Sequence, residues 1–453
     1  MRPVAEQLRR VLGAIRPTPP TDLPPAQALG CVLAQDVIGV YPLPGFDNSA
    51  MDGYAVRAAD VAIAGSRQPV RLTVAGDIAA GDTRRHVLPP GQSLRIMTGA
   101  PMPDGADAVV PVELTDGATG TVTILTPVQS GQHLRRAGED IQAGAVVLRA
   151  GTRVGPRQLA LAASAGAARL RVHPRPRVAV VSTGDELVQP GTEPAFGQVI
   201  DSNGPMLIAA LVEAGFAATL VTGVRDTAAE VIEALHAIVG GPGDAAGASV
   251  AEPPGFSNGP AGALVDAVVT TGGVSMGAYD AVKEALTTLG TVEFTQVAMQ
   301  PGKPQGFGVI GDRAVPVFTL PGNPVSALVS LEVFVAPALR VMAGRPAFEV
   351  ALQQAVAAHD FGSPPGKVQF ARVVVDRAAV SGDLRDESCE PDHPWRDPIR
   401  RPPPVALAGA GQGSHMFGGL AEADALAVVP AAVSAVRAGD ALTCLPLSGG
   451  WWG

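Results

Sequence analysis

From residue 175 onward, short unbroken runs of apolar, often β-branched residues alternate with stretches of helical periodicity. The clearest runs are 178–182 and 267–271, and each is followed by a turn rich in Gly, Ser and Thr. Strands that are apolar on both faces predict a parallel sheet covered by helices on both sides. In such sheets ligands bind outside the carboxyl ends of the strands, so the turns after these strands are the expected binding positions.

We assign residues 175–342 to this α/β domain. Regions of different composition and periodicity around it predict further domains. Residues 1–45 and 143–174 are rich in Ala and Leu at helical spacing and predict a helical stalk that also forms a dimer surface. Between them, residues 46–142 alternate Val-rich runs with Gly, Pro and Asp and predict an inserted β-rich domain. Residues 343–453 predict a small C-terminal β barrel, so the fold class is multidomain α/β.

Composition excludes several classes of protein. The chain carries a formal net charge of −9, and its only lysines are Lys283, Lys303 and Lys367. An acidic chain without a basic stripe is not expected to bind nucleic acid. The cysteines are too far apart for a disulfide framework or a zinc site, and no run of about 18 apolar residues predicts a membrane span. We therefore expect a cytoplasmic protein that binds a small anion in a local pocket.

Four turns of the α/β region carry small, hydroxyl, acidic or basic residues: STGDEL (182–187), TTGGVSMGAYD (270–280), PGKPQGFG (301–308) and LPGNPVS (320–326). Paired glycines after a strand present backbone N–H groups to a phosphate, and Asn-Pro at a helix start directs the helix dipole towards an anion. The lysine of the third turn supplies a positive charge for an oxyanion. Taken singly, each turn also has a structural interpretation as a strand end, a helix N-cap or a surface lysine.

Further polar clusters lie outside the α/β region, in FDNSAMDGYA (46–55), RIMTGA (95–100), RRAGEDI (135–141) and GQGSH (411–415). The TTGGVSMGAYD turn has no G-x-G-x-x-G fingerprint, and the sequence has no Walker A loop, HExxH or CxxC motif. Acids, hydroxyls, Gly-rich turns and one lysine favour a phosphate ester held through a divalent cation, without a protein nucleophile.

Eight motifs, namely FDNSAMDGYA, RIMTGAP, RRAGEDI, STGDEL, TTGGVSMGAYD, PGKP, LPGNPVS and GSH, stand in an order that closely resembles the MoeA family. These are the molybdopterin molybdenumtransferases, which include the E domain of gephyrin, and the resemblance covers nearly the whole chain. It implies a doubly wound, MogA-like α/β domain and a homodimer of elongated protomers. In that dimer the inserted β-rich domain of one subunit closes the site in the α/β domain of the other.

The resemblance also implies the activity: molybdate is inserted at the dithiolene of adenylated molybdopterin and AMP is released, with a divalent cation such as Mg²⁺. The catalytic residues carried over by position are Asp52, Thr98, Asp140, Glu186, Asp226 and Asp280. The metal ligands among them are Glu186 and Asp280. The substrate-binding residues are Ser182, Thr183, Gly184, Gly272, Gly273, Ser275, Pro321, Gly322, Asn323 and Pro324. The molybdate-binding residues are Lys303, Ser326, Arg372 and Ser414.

Two features depart from the family pattern. Gln300 stands where many relatives carry a lysine, and the low-complexity stretch 240–262 is not part of the common core. This stretch and 381–404 predict surface loops. Two other functions remain open: the related molybdopterin adenylyltransferase, and a non-enzymatic pterin-binding scaffold. The partners expected from the resemblance are the adenylyltransferase of the same pathway and molybdoenzyme apoproteins.

Overall fold

The computed structural model describes residues 1–240, 249–251, 265–272, 281–290, 292–349, 352–376, 402–409 and 411–447. Its contacts divide the chain into two compact units. Unit 1 comprises Met1–Pro20 and His173–Gly453, and unit 2 comprises Thr21–Val172.

Helices are few within the described residues. They are α1 (Val4–Ala14), α2 (Pro156–Ser164), α3 (Asn203–Glu213), α4 (Ala228–Gly240), α5 (Ala281–Thr288), α6 (Pro324–Ser330), α7 (Ala336–Met342) and α8 (Gly418–Ala421). Short 3₁₀ turns lie at Pro25–Ala28, Ala58–Val61 and Val112–Leu114.

A π turn, Leu331–Val335, joins α6 and α7 into one helix, Pro324–Met342. Pro337 accounts for the irregular turn, because it has no N–H to donate to the carbonyl of Val333. By length and composition this helix resembles a membrane span, yet 83% of its most apolar window is buried inside the protein. This degree of burial is that of a core helix in a globular unit.

Unit 2 is built from short strands. They are β1 (Thr21–Leu23), β2 (Val32–Leu33), β3 (Val37–Ile38), β4 (Asn48–Ser49), β5 (Gly53–Val56), β6 (Val70–Ile78), β7 (Gln92–Ile96), β8 (Ala108–Pro111), β9 (Thr121–Ile124), β10 (Leu134–Arg135), β11 (Val146–Leu148) and β12 (Leu170–His173). The main sheet has the order β8-β5-β7-β6-β9, and a smaller one the order β1-β12-β2. The five-stranded sheet agrees with the β-rich module predicted for 46–142.

The segments predicted to form a helical stalk are less helical than their spacing suggested. Within them, α1 and α2 are the α-helices, and the rest is mostly short strands and turns. The Pro-rich stretch 17–25 explains part of the difference, since proline removes backbone donors that a helix needs.

The strands of unit 1 follow. They are β13 (Arg177–Thr183), β14 (Leu187–Val188), β15 (Val199–Ile200), β16 (Ala217–Val224), β17 (Ser249–Ala251), β18 (Ala267–Thr271), β19 (Val292–Gln296), β20 (Met299–Gln300), β21 (Pro304–Ile310), β22 (Val315–Leu320), β23 (Gln353–Ala357), β24 (Phe361–Gly362), β25 (Val368–Val375), β26 (Pro404–Leu407), β27 (Ala425–Val429), β28 (Ala435–Val436) and β29 (Ala441–Pro446). Most of 240–262 and 381–404 lies outside the described residues, but β17 falls inside the first of these predicted loops.

A seven-stranded sheet with the order β17-β16-β13-β18-β22-β21-β19 organises the first part of unit 1. The four central strands, β16, β13, β18 and β22, run parallel as predicted. The outer strands β17, β21 and β19 pair antiparallel, so the sheet as a whole is mixed. For β21 and β22 the cause is the short turn between them, because a turn of this length joins only antiparallel strands.

Both faces of this sheet are covered. Val178 and Val180 pack with α1, α3 and the long helix on one face, and Ala179 and Val181 pack with α4 and α5 on the other. Each buried valine contributes about 1.5–3 kcal/mol, which explains why consecutive residues of β13 are all apolar. The prediction of a doubly wound α/β domain is confirmed.

The C-terminal part of unit 1 is a closed β barrel. Strands β23, β26, β25, β27 and β29 form a ring in which each strand pairs with two neighbours. Alanine and valine side chains such as Ala371 and Val373 fill its interior. The predicted barrel is confirmed, and β20 extends it by pairing with β25 in parallel.

Candidate functional site

Three of the predicted ligand loops leave the same edge of the seven-stranded sheet. In parallel register, Ser182 is paired with Thr271 and Thr271 with Leu320, so the strands end side by side. A Cβ atom on Gly322 would lie 3.6 Å from the Cα atom of Gly272, which shows how closely two of the loops approach. The substrate-binding residues predicted from sequence that lie in the described part of these loops are Ser182, Thr183, Gly184, Gly272, Pro321, Gly322, Asn323 and Pro324.

Asn203, at the start of α3, ties two of these loops together. Its Nδ2 donates to the Thr271 hydroxyl at 2.8 Å and to the Gly322 carbonyl at 2.6 Å. Its Oδ1 is buried and has no hydrogen-bond partner among the described residues. The reading of the sequence missed this residue. The signal was the run Asp201-Ser202-Asn203-Gly204, which is typical of a helix start, and Asp201 Oδ1 accepts a bond from the Gly204 N–H at 3.0 Å.

Acidic residues follow β13 and β16 at this edge. The Glu186 carboxylate folds back over Gly184, where a Cβ atom would lie 2.7 Å from Glu186 Oε2 and the φ angle is +147°. Asp185 Oδ1 accepts a bond from the Asp226 N–H at 3.3 Å. The first loop therefore places the Glu186 carboxylate against Gly184 and the Asp185 carboxylate against the backbone of Asp226.

Three predicted site residues, Gly273, Ser275 and Asp280, lie outside the described residues. Among the residues that the structure describes, no group of three or more His, Cys, Asp or Glu side chains is arranged to hold a metal ion. The cation site predicted from Glu186 and Asp280 stays a prediction, because one of its two ligands is not described.

Lys303 stands in a tight turn between Gly302, at a φ of +97°, and the first residue of β21. Its carbonyl accepts a bond from the Val297 N–H at 2.7 Å. Within the described chain the Lys303 ammonium has no hydrogen bond or ion pair, and the side chain is half-buried. The turn is thus fixed while its positive charge is available to an anion.

The GQGSH loop approaches the start of α6. Asn323 Nδ2 donates to Ser414 Oγ at 3.2 Å. Asn323 occupies the N-cap position predicted for it, and Pro324 is the first helical residue, but the Asn323 side chain makes no capping bond. Ser326 is buried in the first turn of the same helix.

Arg372 on β25 holds this loop in place. It is 1% exposed, and its terminal nitrogens donate to the carbonyls of Gly411 at 2.6 Å, Gly413 at 3.4 Å and Met416. Burial lowers the pKa of Arg372. The backbone N–H of Arg372 also donates to Gln412 Oε1 at 2.8 Å, so side chain and main chain both fix the loop that carries Ser414.

In unit 2 the structure joins Asp52 to Thr98. Asp52 Oδ1 accepts bonds from the Thr98 N–H at 2.6 Å and from its hydroxyl at 2.8 Å, and these two bonds lower the pKa of Asp52. Asp140 is exposed on the RRAGEDI loop, where its N–H donates to the Leu43 carbonyl at 3.1 Å.

The FDNSAMDGYA and RRAGEDI motifs of unit 2 also meet. Asp47 accepts bonds from the Arg136 side chain at 2.7 Å and from the Ala137 N–H at 2.8 Å. These contacts, with the pairing of β4 and β10, give the polar loops of unit 2 a fixed geometry.

Models of known families match most of the chain. Residues 2–166 match the MoeA N-terminal region (domain I and II), 179–241 and 260–341 a probable molybdopterin binding domain, and 404–447 the MoeA C-terminal region (domain IV). The chain is 43% identical over 387 residues to molybdopterin molybdenumtransferase 2 of Mycobacterium tuberculosis, covering 84% of this chain and 89% of that protein. This chain belongs to the MoeA family.

Two further comparisons extend over the whole MoeA chain. Molybdopterin molybdenumtransferase 1 of Mycobacterium tuberculosis is 37% identical over 465 residues, with 97% of each chain covered. The crystal structure of a MoeA protein from Pyrococcus horikoshii is similar with a TM-score of 0.75 at 28% identity, and the match covers 99% of both chains. The resemblance found in the sequence is confirmed, and so is the fold that it implied.

Proposed function

We propose that this MoeA-family chain inserts molybdenum into adenylated molybdopterin, releases AMP and so produces molybdenum cofactor. The observation that carries the proposal is the convergence of three ligand loops at one sheet edge, joined there by Asn203 and by the Asn323–Ser414 bond. Relatives that match over 84% and 97% of the chain are named molybdopterin molybdenumtransferases. That length of match favours this function over the adenylyltransferase and over a scaffold without activity.

The pterin nucleotide is proposed to lie across the loops after β13, β18 and β22. The small residues there let the backbone approach the ligand closely, and N–H groups in such turns hold phosphate oxygens. The start of α6 adds the positive end of a helix dipole.

Molybdate is proposed to bind beside this cradle. The Lys303 ammonium supplies charge, and the hydroxyls of Ser326 and Ser414 supply hydrogen bonds. Arg372 is proposed to act at the same place through the loop it holds, because its terminal nitrogens already donate to carbonyls near Ser414.

A Mg²⁺ ion fits the donors proposed for it, Glu186 and Asp280, since hard cations prefer carboxylate oxygens. When bound, the cation would neutralise the phosphoanhydride that is cleaved. The fold of the Glu186 carboxylate over Gly184 supports this role, because it brings a carboxylate against the turn that is proposed to hold the phosphates. Chelation of divalent cations should abolish AMP release, and added Mg²⁺ should restore it.

We also propose that the protein is a cytoplasmic homodimer, and that Asp52, Thr98 and Asp140 of one copy complete the site whose pterin loops belong to the other. The test is complementation. Asp52→Ala and Lys303→Ala variants, each inactive alone, should recover about a quarter of wild-type activity when they are mixed and refolded together, because random pairing gives half heterodimers with one intact site each. No recovery would contradict the shared site.

The activity itself is tested by mixing purified protein with adenylated molybdopterin, molybdate and Mg²⁺. We expect AMP, measured by chromatography, and cofactor that reconstitutes a molybdoenzyme apoprotein. Asp280→Ala should abolish both while leaving the dimer intact. Consumption of ATP with unadenylated molybdopterin would instead favour the adenylyltransferase, and unchanged activity of Asp280→Ala would contradict the catalytic assignment.

A further inference from the structure

A buried chain of side-chain hydrogen bonds runs from the Lys303 turn to the first turn of α6. Gln305 Nε2 donates to the Gly302 carbonyl and to Ser330 Oγ, both at 2.7 Å. Ser330 Oγ in turn donates to the Ser326 carbonyl at 2.7 Å. Gln305 is 4% exposed and Ser330 is fully buried, so neither is accessible to a ligand.

The turn packs directly against this chain. A Cβ atom on Gly302 would lie 2.9 Å from Ser330 Oγ and 3.0 Å from the Met299 Cε atom, which leaves no room for a side chain. On the other side, the Lys303 carbonyl is bound by the Val297 N–H. The backbone is therefore fixed on both sides of Lys303.

The bonding capacity of Gln305 suits this task. An amide NH₂ has two donors, and here one reaches the turn and the other reaches the helix. An apolar side chain of similar size would leave the Gly302 carbonyl without this buried bond, which destabilises the observed turn geometry. The same change would remove one partner of the Ser330 hydroxyl.

We infer that Gln305 and Ser330 are positioning residues of an oxyanion site, which set the place of the Lys303 ammonium relative to Ser326 at the start of α6. The inference rests on the proposed function and adds to it two residues that do not touch the anion. The ligand class is a tetrahedral dianion, whose affinity depends on how well a cation and hydrogen-bond donors are held at a fixed separation.

The test compares Gln305→Leu and Ser330→Ala with wild type in molybdate binding and AMP release. Equilibrium dialysis with molybdenum analysis should give a molybdate Kd about tenfold higher for Gln305→Leu, equivalent to about 1.4 kcal/mol. The molybdate KM should rise in parallel, while kcat at saturating molybdate and the KM for adenylated molybdopterin stay within about twofold. Ser330→Ala is a smaller change and should give the same pattern, so it decides the test if Gln305→Leu folds poorly.

A control for the Gln→Leu change itself is Gln354→Leu in the barrel, which removes one exposed bond, to the Thr443 hydroxyl at 3.3 Å. It should leave the molybdate Kd unchanged. A double-mutant cycle with Lys303→Met separates positioning from general destabilisation, because Gln305→Leu should add less than about twofold in that background.

Three outcomes overturn the inference: an unchanged Kd in both variants, the full tenfold loss in the Lys303→Met background, or an equal loss in Gln354→Leu. Wild-type protein that binds molybdate but releases no AMP would contradict the proposed function. The positioning role would then be decided by the molybdate Kd of the variants alone. Wild-type protein that does neither would contradict both.

Discussion

Gly204→Ala tests whether the edge of the proposed pterin site is packed as tightly as the structure indicates. Gly204 lies in the first turn of α3, and a Cβ atom there would lie 2.7 Å from Asp201 Oδ2, 2.8 Å from Leu220 Cδ1 and 2.9 Å from Ser182 Oγ. Asp201 and Ser182 are 3% and 6% exposed. Asp201 is also bound to the Gly204 N–H, so these neighbours cannot simply rotate into solvent.

Two effects of opposite sign set the magnitude. Replacing glycine by alanine in a helix stabilises it by up to about 1 kcal/mol, whereas overpacking a filled interior costs about 1–3 kcal/mol. We expect overpacking to win and Gly204→Ala to lose about 1–2 kcal/mol. Gly13→Ala in α1 is the matched control: nothing lies within 4 Å of its Cβ position, so it should gain up to about 1 kcal/mol.

Amide hydrogen exchange read by mass spectrometry measures this locally, because the opening free energy of α3 can be followed apart from unit 2. Exchange in α3 should accelerate in Gly204→Ala, and the KM for adenylated molybdopterin should rise, since the shifted Asp201 and Ser182 adjoin the loops. Exchange in α3 that is unchanged or slower would refute the close packing, whatever the kinetics.

Three further results are expected. Thr98→Val removes one of the two hydrogen-bond donors to Asp52 and should raise the pKa of that carboxyl towards its ordinary value. Any stability that the two bonds provide is present above the ordinary pKa and is lost as the pH falls, and this loss should occur at a higher pH in the variant than in wild type. An NMR titration in which the pKa of Asp52 does not move would contradict this. Burial raises the pKa of Glu332 to about 7, so ionisation of this carboxyl destabilises the fold as the pH rises from about 4.5 through 7. In chemical unfolding, Glu332→Gln should therefore raise the free energy of unfolding by about 1–3 kcal/mol at pH 8 and leave it unchanged at pH 4. An equal increase at the two pH values would argue against a buried charge as the cause. Burial raises the pKa of Cys444 to about 12, so iodoacetamide at pH 8 should modify it only after unfolding, and rapid labelling of the native protein, seen by mass spectrometry, would be inconsistent with its burial.

The parts of the fold that are determined by local pattern were predictable from sequence. Strands β13 and β18 are apolar on both faces, and that pattern requires cover on both sides. The mixed character of the sheet was not predictable in the same way, because the direction of an outer strand depends on which strand it pairs with. The helical prediction for residues 1–45 and 143–174 holds for α1 and α2 and not for the rest, because spacing of Ala and Leu does not distinguish a helix from short strands when prolines interrupt it.

For the candidate site, the motifs predicted loops that the structure brings to one sheet edge, but they did not predict how those loops are held. The sequence marks Asn203 only as part of a helix start and gives no sign of Gln305 or Ser330 as bonding residues; their roles follow from the carbonyls and hydroxyls that they reach in three dimensions. Arg372 shows the complementary case. The family resemblance implies that it is an anion ligand, whereas its observed partners are carbonyls of its own barrel loop.

One barrel strand determines the alignment of both sides of the proposed molybdate site. Through Gln369, β25 pairs with Gln300 just before the Lys303 turn, and three residues later it presents Arg372 to the loop that carries Ser414. Its alternate residues Ala371 and Val373 face the barrel interior. A one-residue insertion in β25 would exchange the two faces and turn the Arg372 guanidinium into the barrel interior. It would also change the position of the Lys303 turn relative to the loop that carries Ser414. Length changes within this strand should therefore not be tolerated.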